Sequence, residues 1–144
     1  MTGTIREARP TDRDRLSSIQ QSVLAAPSPD LLAAAVDGPL LALVRCDDAG
    51  HIVGYVVAVV GENRAYLPEL AVAPDAQRQG HGTALLEAVA RRLDSMGVEQ
   101  FRATTRADDT QARSFYETRG FEAVERVPEY YDDGTDGVVY RRHL

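Results

Sequence analysis

The chain has 144 residues, 44% hydrophobic and 26% charged, an ordinary globular mixture with room for one domain over 1–144 and a core that needs no disulfide or metal staple. A formal charge of −6 argues against a general nucleic-acid binder, whose affinity comes from neutralising phosphates, and the single cysteine, Cys46, excludes a disulfide framework or multi-cysteine metal site. The longest apolar run, Ile52 to Val60, is too short to span a bilayer and no signal-like segment opens the chain, so the expectation is a cytoplasmic protein with no membrane or metal partner.

All 16 basic residues are arginine. A GC-rich genome accounts for that, and a salt-adapted cytoplasm would fit the acidic pairs Asp47–Asp48, Asp108–Asp109 and Asp132–Asp133 as well. In chain order, Thr4 to Ala8 alternates weakly and is an opening strand. Pro10 to Asp14 reads as a helix start with Thr11 as N-cap, and Leu16, Ile19 and Val23 give that helix one apolar stripe. Ser28-Pro29-Asp30 starts a second, short helix running through Leu31, Leu32, Ala35 and Val36.

From Pro39 the period changes. Leu40–Val44, Ile52–Val60 and Ala65–Val72 are strands joined by short polar turns, an antiparallel meander whose middle strand is apolar on both faces and so central. Thr83–Met96 is the strongest helix, with Leu85, Leu86, Val89, Leu93 and Met96 on one face and Gly97 as its stop. Phe101–Thr105 is a strand, Thr110–Arg119 a helix ended by Gly120, Phe121–Val127 a strand, and Val138–Arg142 closes the sheet. The class is α+β, shading into α/β in the second half, with about seven strands and four helices.

The chemistry concentrates in Leu67-Pro-Glu-Leu-Ala-Val-Ala-Pro-Asp-Ala-Gln-Arg-Gln-Gly-His-Gly-Thr83, a strand, a glycine-bearing loop and a helix start. Gly80 and Gly82 let the backbone turn tightly and approach a ligand, and the first N–H groups of the following helix lack intrahelical partners, which makes an anion cradle. The same glycines also suit a plain strand-to-helix connection. A P-loop is impossible without lysine, and the dinucleotide pattern lacks its third glycine, where Leu85 stands.

Gln77-x-x-Gly80-x-Gly82 after Leu70-Ala71-Val72 resembles the acetyl-CoA-binding motif of the GCN5-related N-acetyltransferase (GNAT) superfamily, and Phe115-Tyr-Glu-Thr-Arg-Gly-Phe121 resembles that family's second signature at matching distance. The resemblance implies a three-layer sandwich around a mixed, mostly antiparallel sheet, the acyl-CoA N-acyltransferase fold, with acetyl-CoA as cosubstrate. It implies pantetheine lying between two splayed parallel strands, pairing with backbone near Leu70, Ala71 and Val72, and pyrophosphate held by the N–H groups of Arg78, Gln79, Gly80, His81, Gly82 and Thr83. The His81 side chain reads as a tolerated loop residue, and Arg78 either adds charge opposite the phosphates or is a solvated surface arginine. Dimers are common in the superfamily, so a homodimer is compatible, although no residue sets the oligomeric state.

In that family a neutral amine attacks the thioester and CoA leaves as a thiolate, which needs a base and an acid. Tyr116 is the implied acid, with Phe115 and Phe121 as core packing. Glu69, on the opposite strand face from Leu70 and Val72, is the candidate base, directly or through water, or else a surface or supporting carboxylate. The tail from Glu129 to Val139 is similar to that of the RimI-type protein N-terminal alanine acetyltransferases, which makes Tyr130 or Tyr131 a candidate for the acceptor channel; an aromatic hairpin packed on the sheet is the other reading. Two positions depart from that branch: Thr104 stands where it has a glutamate base, and Asp109 where it has a cofactor-contacting asparagine.

Deprotonating an α-amine of pKa ~8 at neutral pH costs about 1 kcal/mol, against about 4–5 kcal/mol for a lysine near ~10.4, so a weaker base favours an α-amine acceptor. The expectation is transfer to a peptide or protein N-terminus. The alternatives are a small amine (amino acid, polyamine or antibiotic), to which the acidic clusters near Asp108 and Asp132 would add attraction for a polycation, and a non-catalytic acetyl-CoA-binding module.

Overall fold

All seven expected strands form and join one sheet in the computed structural model, which describes residues 3–24 and 27–144. The elements are β1 (Thr4–Glu7), α1 (Arg13–Val23), α2 (Pro29–Asp37), β2 (Leu41–Cys46), β3 (Ile52–Val60), β4 (Arg64–Val72), α3 (His81–Ser95), β5 (Gln100–Arg106), α4 (Thr110–Glu117), β6 (Glu122–Val127) and β7 (Gly137–His143). The sheet order is β1-β2-β3-β4-β5-β7-β6; every neighbouring pair is antiparallel except β4 and β5.

Each face of the sheet buries its own core. On one face Leu43, Val56, Leu67, Phe101 and Tyr140 pack against Leu85, Leu86, Val89 and Leu93 of α3 and Tyr116 of α4. On the other, Val44, Tyr55, Val57 and Ala71 pack against Leu16 and Ile19 of α1 and Leu32 of α2. β3 sits between the two helix layers and is buried from Ile52 to Ala58, as its two-sided apolar run requires.

Two local expectations are corrected. Thr11 does not cap α1: Pro10–Asp12 form a 3-10 turn, where the Asp12 carboxylate accepts the Arg9 N–H at 2.8 Å and pairs with Arg6, and α1 starts at Arg13. Met96 does not share the buried face of α3; it lies one residue past the helix and is 51% exposed, because the chain already turns towards Gly97 at φ 82°.

The feature that positions the site is an irregularity in β4. Val59 pairs with Tyr66 and Val57 with Glu69, so one residue of β3, Ala58, opposes two of β4, Leu67 and Pro68. This is a β-bulge, a place where proline, lacking an N–H, is tolerated in a strand. It reverses the facing of the residues beyond it: Ala65 and Leu67 lie in the α3 core, whereas Glu69 and Ala71 lie on the α1 face. The parallel pairing of β4 with β5 ends at the same place, at Leu67 and Ala103, and beyond it the two strands part.

Phe101 is fully buried, with the Phe121 ring at 5.0 Å and the Arg142 guanidinium 5.5 Å from its centroid. Phe101→Ala is expected to lower unfolding free energy by about 3–5 kcal/mol, read as the midpoint shift in urea denaturation at unchanged slope.

Candidate active site

Past the bulge, one edge of β4 is free. Ala73 N–H bonds to the Val53 carbonyl at 2.8 Å, so by antiparallel alternation Ala71 and Glu69 also turn their backbone groups to β3. Leu70 and Val72 therefore turn theirs into the opening, where β5 no longer pairs with them. Of the three residues expected to meet pantetheine, Leu70 and Val72 present backbone groups to the cleft and Ala71 does not. The Val72 carbonyl already accepts the Gln77 side-chain amide at 3.0 Å, which ties the start of the loop to the strand.

The loop itself is built to expose N–H groups. Arg78 has φ 64°, unusual for a side chain of its size, and Gly80 has φ 87°, so left-handed residues alternate and turn successive N–H groups towards one side. The Ala84 N–H bonds to the Gly80 carbonyl at 3.0 Å, and those of His81, Gly82 and Thr83 ahead of it have no intrahelical acceptor. A Cβ on Gly80 would meet nothing within 4 Å, so its glycine serves conformation; a Cβ on Gly82 would lie 3.3 Å from Phe115 and 3.8 Å from Leu70, so its glycine serves space. This donor array and the free β4 edge fit a pyrophosphate and an amide-bearing arm.

The His81 side chain points away from that array. It is 2% exposed, its Nδ1 accepts from Arg45 Nε at 3.1 Å, and burial together with the Arg45 charge holds its pKa below the ordinary value, so it is a neutral tie between α3 and β2. Asp109 caps α4, accepting the Ala112 N–H at 2.9 Å. Arg119, which sequence reasoning did not single out, donates to Thr83 Oγ1 at 2.8 Å and lies over the Phe115 ring at 4.0 Å, placing a guanidinium beside the first turn of α3.

Tyr116 lies at the base of the cleft among Phe115, Phe121 and Tyr140, with ring centroids 5.1–6.1 Å away. Its hydroxyl makes no hydrogen bond to any described residue, and burial, then the Tyr66 phenol, push its pKa up, so it holds its proton. Tyr140 steadies it: the Tyr140 hydroxyl donates to Glu117 at 2.7 Å and accepts from Arg113 at 3.0 Å, pinning α4 to β7.

Glu69 stands on the α1 face, 8% exposed. Tyr55 donates to its Oε1 at 2.7 Å, and Gln20 Nε2 lies 3.0 and 3.1 Å from its two oxygens while also donating to the Ser28 carbonyl at 2.9 Å. Burial pushes the Glu69 carboxyl up, and the two hydrogen bonds pull it only part of the way back. Gln20 and Tyr55 were missed in the sequence, although Gln20 left a signal: it is the polar member of the stripe Leu16, Ile19, Gln20, Val23.

Thr104 is held by Tyr66, whose hydroxyl is 2.9 Å from Thr104 Oγ1; burial, foremost, pushes the Tyr66 pKa up to about 12, too high for a base at neutral pH. Tyr130 and Tyr131 meet edge to face at 5.0 Å, close enough to Tyr66 to influence its titration. Arg106 lies 4.8 Å from the Tyr131 ring and pairs with Asp133 and Asp108. The Thr135 N–H and Arg106 hold Asp133 down at about 2. The acidic residues near Asp108 and Asp132 are thus largely turn and cap elements, which weakens them as a lure for polycations. A larger groove, about 850 Å³, runs from Arg6 past His51 to Gln79, away from the tyrosines, and its Arg6–Asp12 pair is already matched.

A parallel strand pair that parts beside an N–H-lined glycine loop, with a protonated tyrosine on one side and a buried carboxylate on the other, is an arrangement suited to an acyl-CoA transferase. The chain belongs to the acetyltransferase (GNAT) family, whose pattern matches residues 7–121, and it is an acetyl-CoA-dependent N-acetyltransferase. It is 31% identical over 134 residues to the ribosomal protein bS18-alanine N-acetyltransferase of Escherichia coli (strain K12), covering 93% of this chain and 90% of that protein. The crystal structure of the Escherichia coli ribosomal-protein-S18-alanine N-acetyltransferase superposes with TM-score 0.89 at 28% identity over 99% of this chain and 94% of that one. Ard1 from Thermoplasma volcanium superposes at 0.90 with 26% identity, over 100% of this chain and 99% of that one. Among the described residues no helix is long and apolar enough to cross a membrane, and no cluster of three metal-ligating side chains occurs.

Gly82→Ala would press a methyl against Phe115 and narrow the cradle. Its expected effect is a rise in KM for acetyl-CoA of roughly tenfold, about 1.4 kcal/mol of binding, with the melting temperature little changed.

Proposed function

We propose that this enzyme acetylates the α-amine of a peptide or protein N-terminus. The observation that carries the proposal is one buried carboxylate of raised pKa, Glu69, on the same face of β4 as Tyr66, whose phenol lies near Tyr130 and Tyr131. The 31% identity to a protein N-terminal alanine acetyltransferase along almost the whole chain supports it.

Acetyl-CoA supplies the acyl group, and the amine nitrogen forms its bond to the acyl carbon as the carbon–sulfur bond breaks. On this reading the Arg78–Thr83 N–H groups hold the phosphates, and Leu70 and Val72 align the arm. Glu69 takes the amine proton through one water, a relay its partners leave room for because Tyr55 and Gln20 do not use all the lone pairs on Oε2. Its raised pKa narrows the gap to an α-amine near ~8, which suits an α-amine better than a lysine. Tyr116, with its proton kept by burial, returns a proton to the departing sulfur. Thr104, bonded to Tyr66, braces the channel wall and carries no proton.

Thiol release from acetyl-CoA tests the acceptor. Alanine-initiated peptides with free termini should turn over; the same peptides N-blocked but bearing lysine, and polyamines, should not. Turnover confined to small amines would replace the proposal with the small-molecule reading.

Two substitutions test the chemistry. Tyr116→Phe removes a hydroxyl that has no partner, so stability should hold while kcat falls about 100-fold at unchanged acetyl-CoA affinity. Glu69→Gln should lower kcat by about 10²–10³ and abolish the rising limb of the kcat–pH profile. Because folding raises the Glu69 pKa, its ionised form costs stability, so wild type gains as pH falls through that pKa. The variant should therefore melt no lower than wild type at pH 7, and any advantage should vanish below the unfolded carboxyl pKa of ~4.3.

A further inference from the structure

The α1 and α2 layer covers β2, β3 and β4 but stops short of the other half of the sheet. On that face β5 presents Gln100, Arg102, Thr104 and Arg106, and the register sets Arg102 between Tyr66 of β4 and Arg141 of β7. A groove of about 340 Å³ opens there, lined by Val59, Arg64, Tyr66 and Arg102 with two further backbone-bearing small residues and no carboxylate. Val59 is 42% exposed in it.

Its charge is unexpected in a chain of net charge −6. Arg102 and Arg141 stand directly opposite each other, an arrangement of like charges that destabilises a sheet. Arg141 is partly answered by Glu122 at 2.8 Å on the far side. Among the described residues the Nε atoms of both arginines are buried with no hydrogen-bond partner, and Arg102 lacks even the carboxylate that Arg141 has in Glu122. A buried, unpaired guanidinium donor is costly unless something binds it, and a guanidinium is shaped for bidentate contact with a carboxylate.

The groove shares Tyr66 with the acceptor channel. Arg102 is two residues along β5 from Thr104, roughly 7 Å, which is the span of two extended residues. We propose that Arg102, assisted by Arg64, forms a carboxylate-recognising subsite that selects acceptors bearing Asp or Glu within the first few residues after the reacting amine. The proposal rests on the α-amine reading above, deepening it from a class of amine to a class of sequence. Val59 and the Tyr66 ring give the carbon chain of that residue an apolar floor, and the two arginines meet its charge.

The test uses the full chain, acetyl-CoA and C-terminally amidated peptides of one sequence, Ala-initiated, with Glu, Gln or Lys at each of positions two to four, so that the side chain is the only carboxylate. The Glu peptide is expected to exceed its Gln twin in kcat/KM by about tenfold at one of these positions, the Lys peptide to fall below both, and the ratio to shrink with added salt. In Arg102→Gln, and in Arg64→Gln should the first variant fold poorly, the Glu/Gln ratio should drop towards one, while Arg91→Gln on exposed α3 surface should keep it. Equal kcat/KM for Glu and Gln peptides in wild type, or a ratio untouched by both groove variants, would overturn the subsite. Turnover of the Gln peptide reports separately on the α-amine reading: if no peptide is acetylated, that reading fails and the subsite falls with it.

Discussion

The bulge at Leu67–Pro68 is the constraint on which the site depends. A single extra residue in β4 ends its pairing with β5, frees the Leu70 and Val72 backbone, and turns the next side chains to the opposite face. Without it, strand alternation would send Glu69 into the apolar core beside Ala65 and Leu67, where an ionised carboxylate has no partner. With it, Glu69 emerges under α1, where Tyr55 and Gln20 receive it. Bulges commonly re-aim side chains at active sites, and here one irregularity both parts β4 from β5 and turns the Glu69 carboxylate to the α1 face.

Glu69 also shows why the two helix layers are unequal in chemistry. The α3 and α4 layer carries an array of free N–H groups and a tyrosine that keeps its proton in an apolar setting. The α1 and α2 layer receives a carboxylate whose partners reach back through Gln20 to the Ser28 carbonyl. Among the described residues the Gln20 Oε1 has no hydrogen-bond partner, an open acceptor beside the carboxylate.

Most of the fold was legible because its signals are local. The two-sided apolar run of β3, the 3.6-residue stripe of α3 and the glycines after α3 and α4 each fix an element without reference to the rest. The glycine loop was legible for the same reason, since its residues Gln77, Gly80 and Gly82 belong to one segment, the first tying the loop to Val72 by its side-chain amide, the second giving the left-handed turn and the third leaving space. What escaped is non-local. Ala71 was grouped with Leu70 and Val72 because a sequence does not show which strand edge a backbone group faces. Tyr55 and Gln20 meet Glu69 only after 14 and 49 residues of chain close between them, and the bulge that makes the meeting possible leaves no mark but Pro68.

Charge placement obeys the same division between local and long-range. The acids that cluster in sequence are consumed nearby: Asp109 in a helix cap, Asp136 by Arg126 and the Glu129 N–H, Asp133 by Arg106 and its own turn. The arginines scattered over β4, β5 and β7 look unrelated in sequence, yet the sheet register gathers Arg102 and Arg141 opposite each other and brings Arg64 into the same groove. The register thus concentrates positive charge at one place in a chain of net charge −6. That concentration lies beside Tyr66, on the sheet face opposite α3, while the glycine loop offers chiefly uncharged backbone N–H groups. Net charge therefore forecasts neither surface: the glycine loop offers uncharged backbone N–H groups, and the arginine groove exists only once the sheet brings β4 and β5 together.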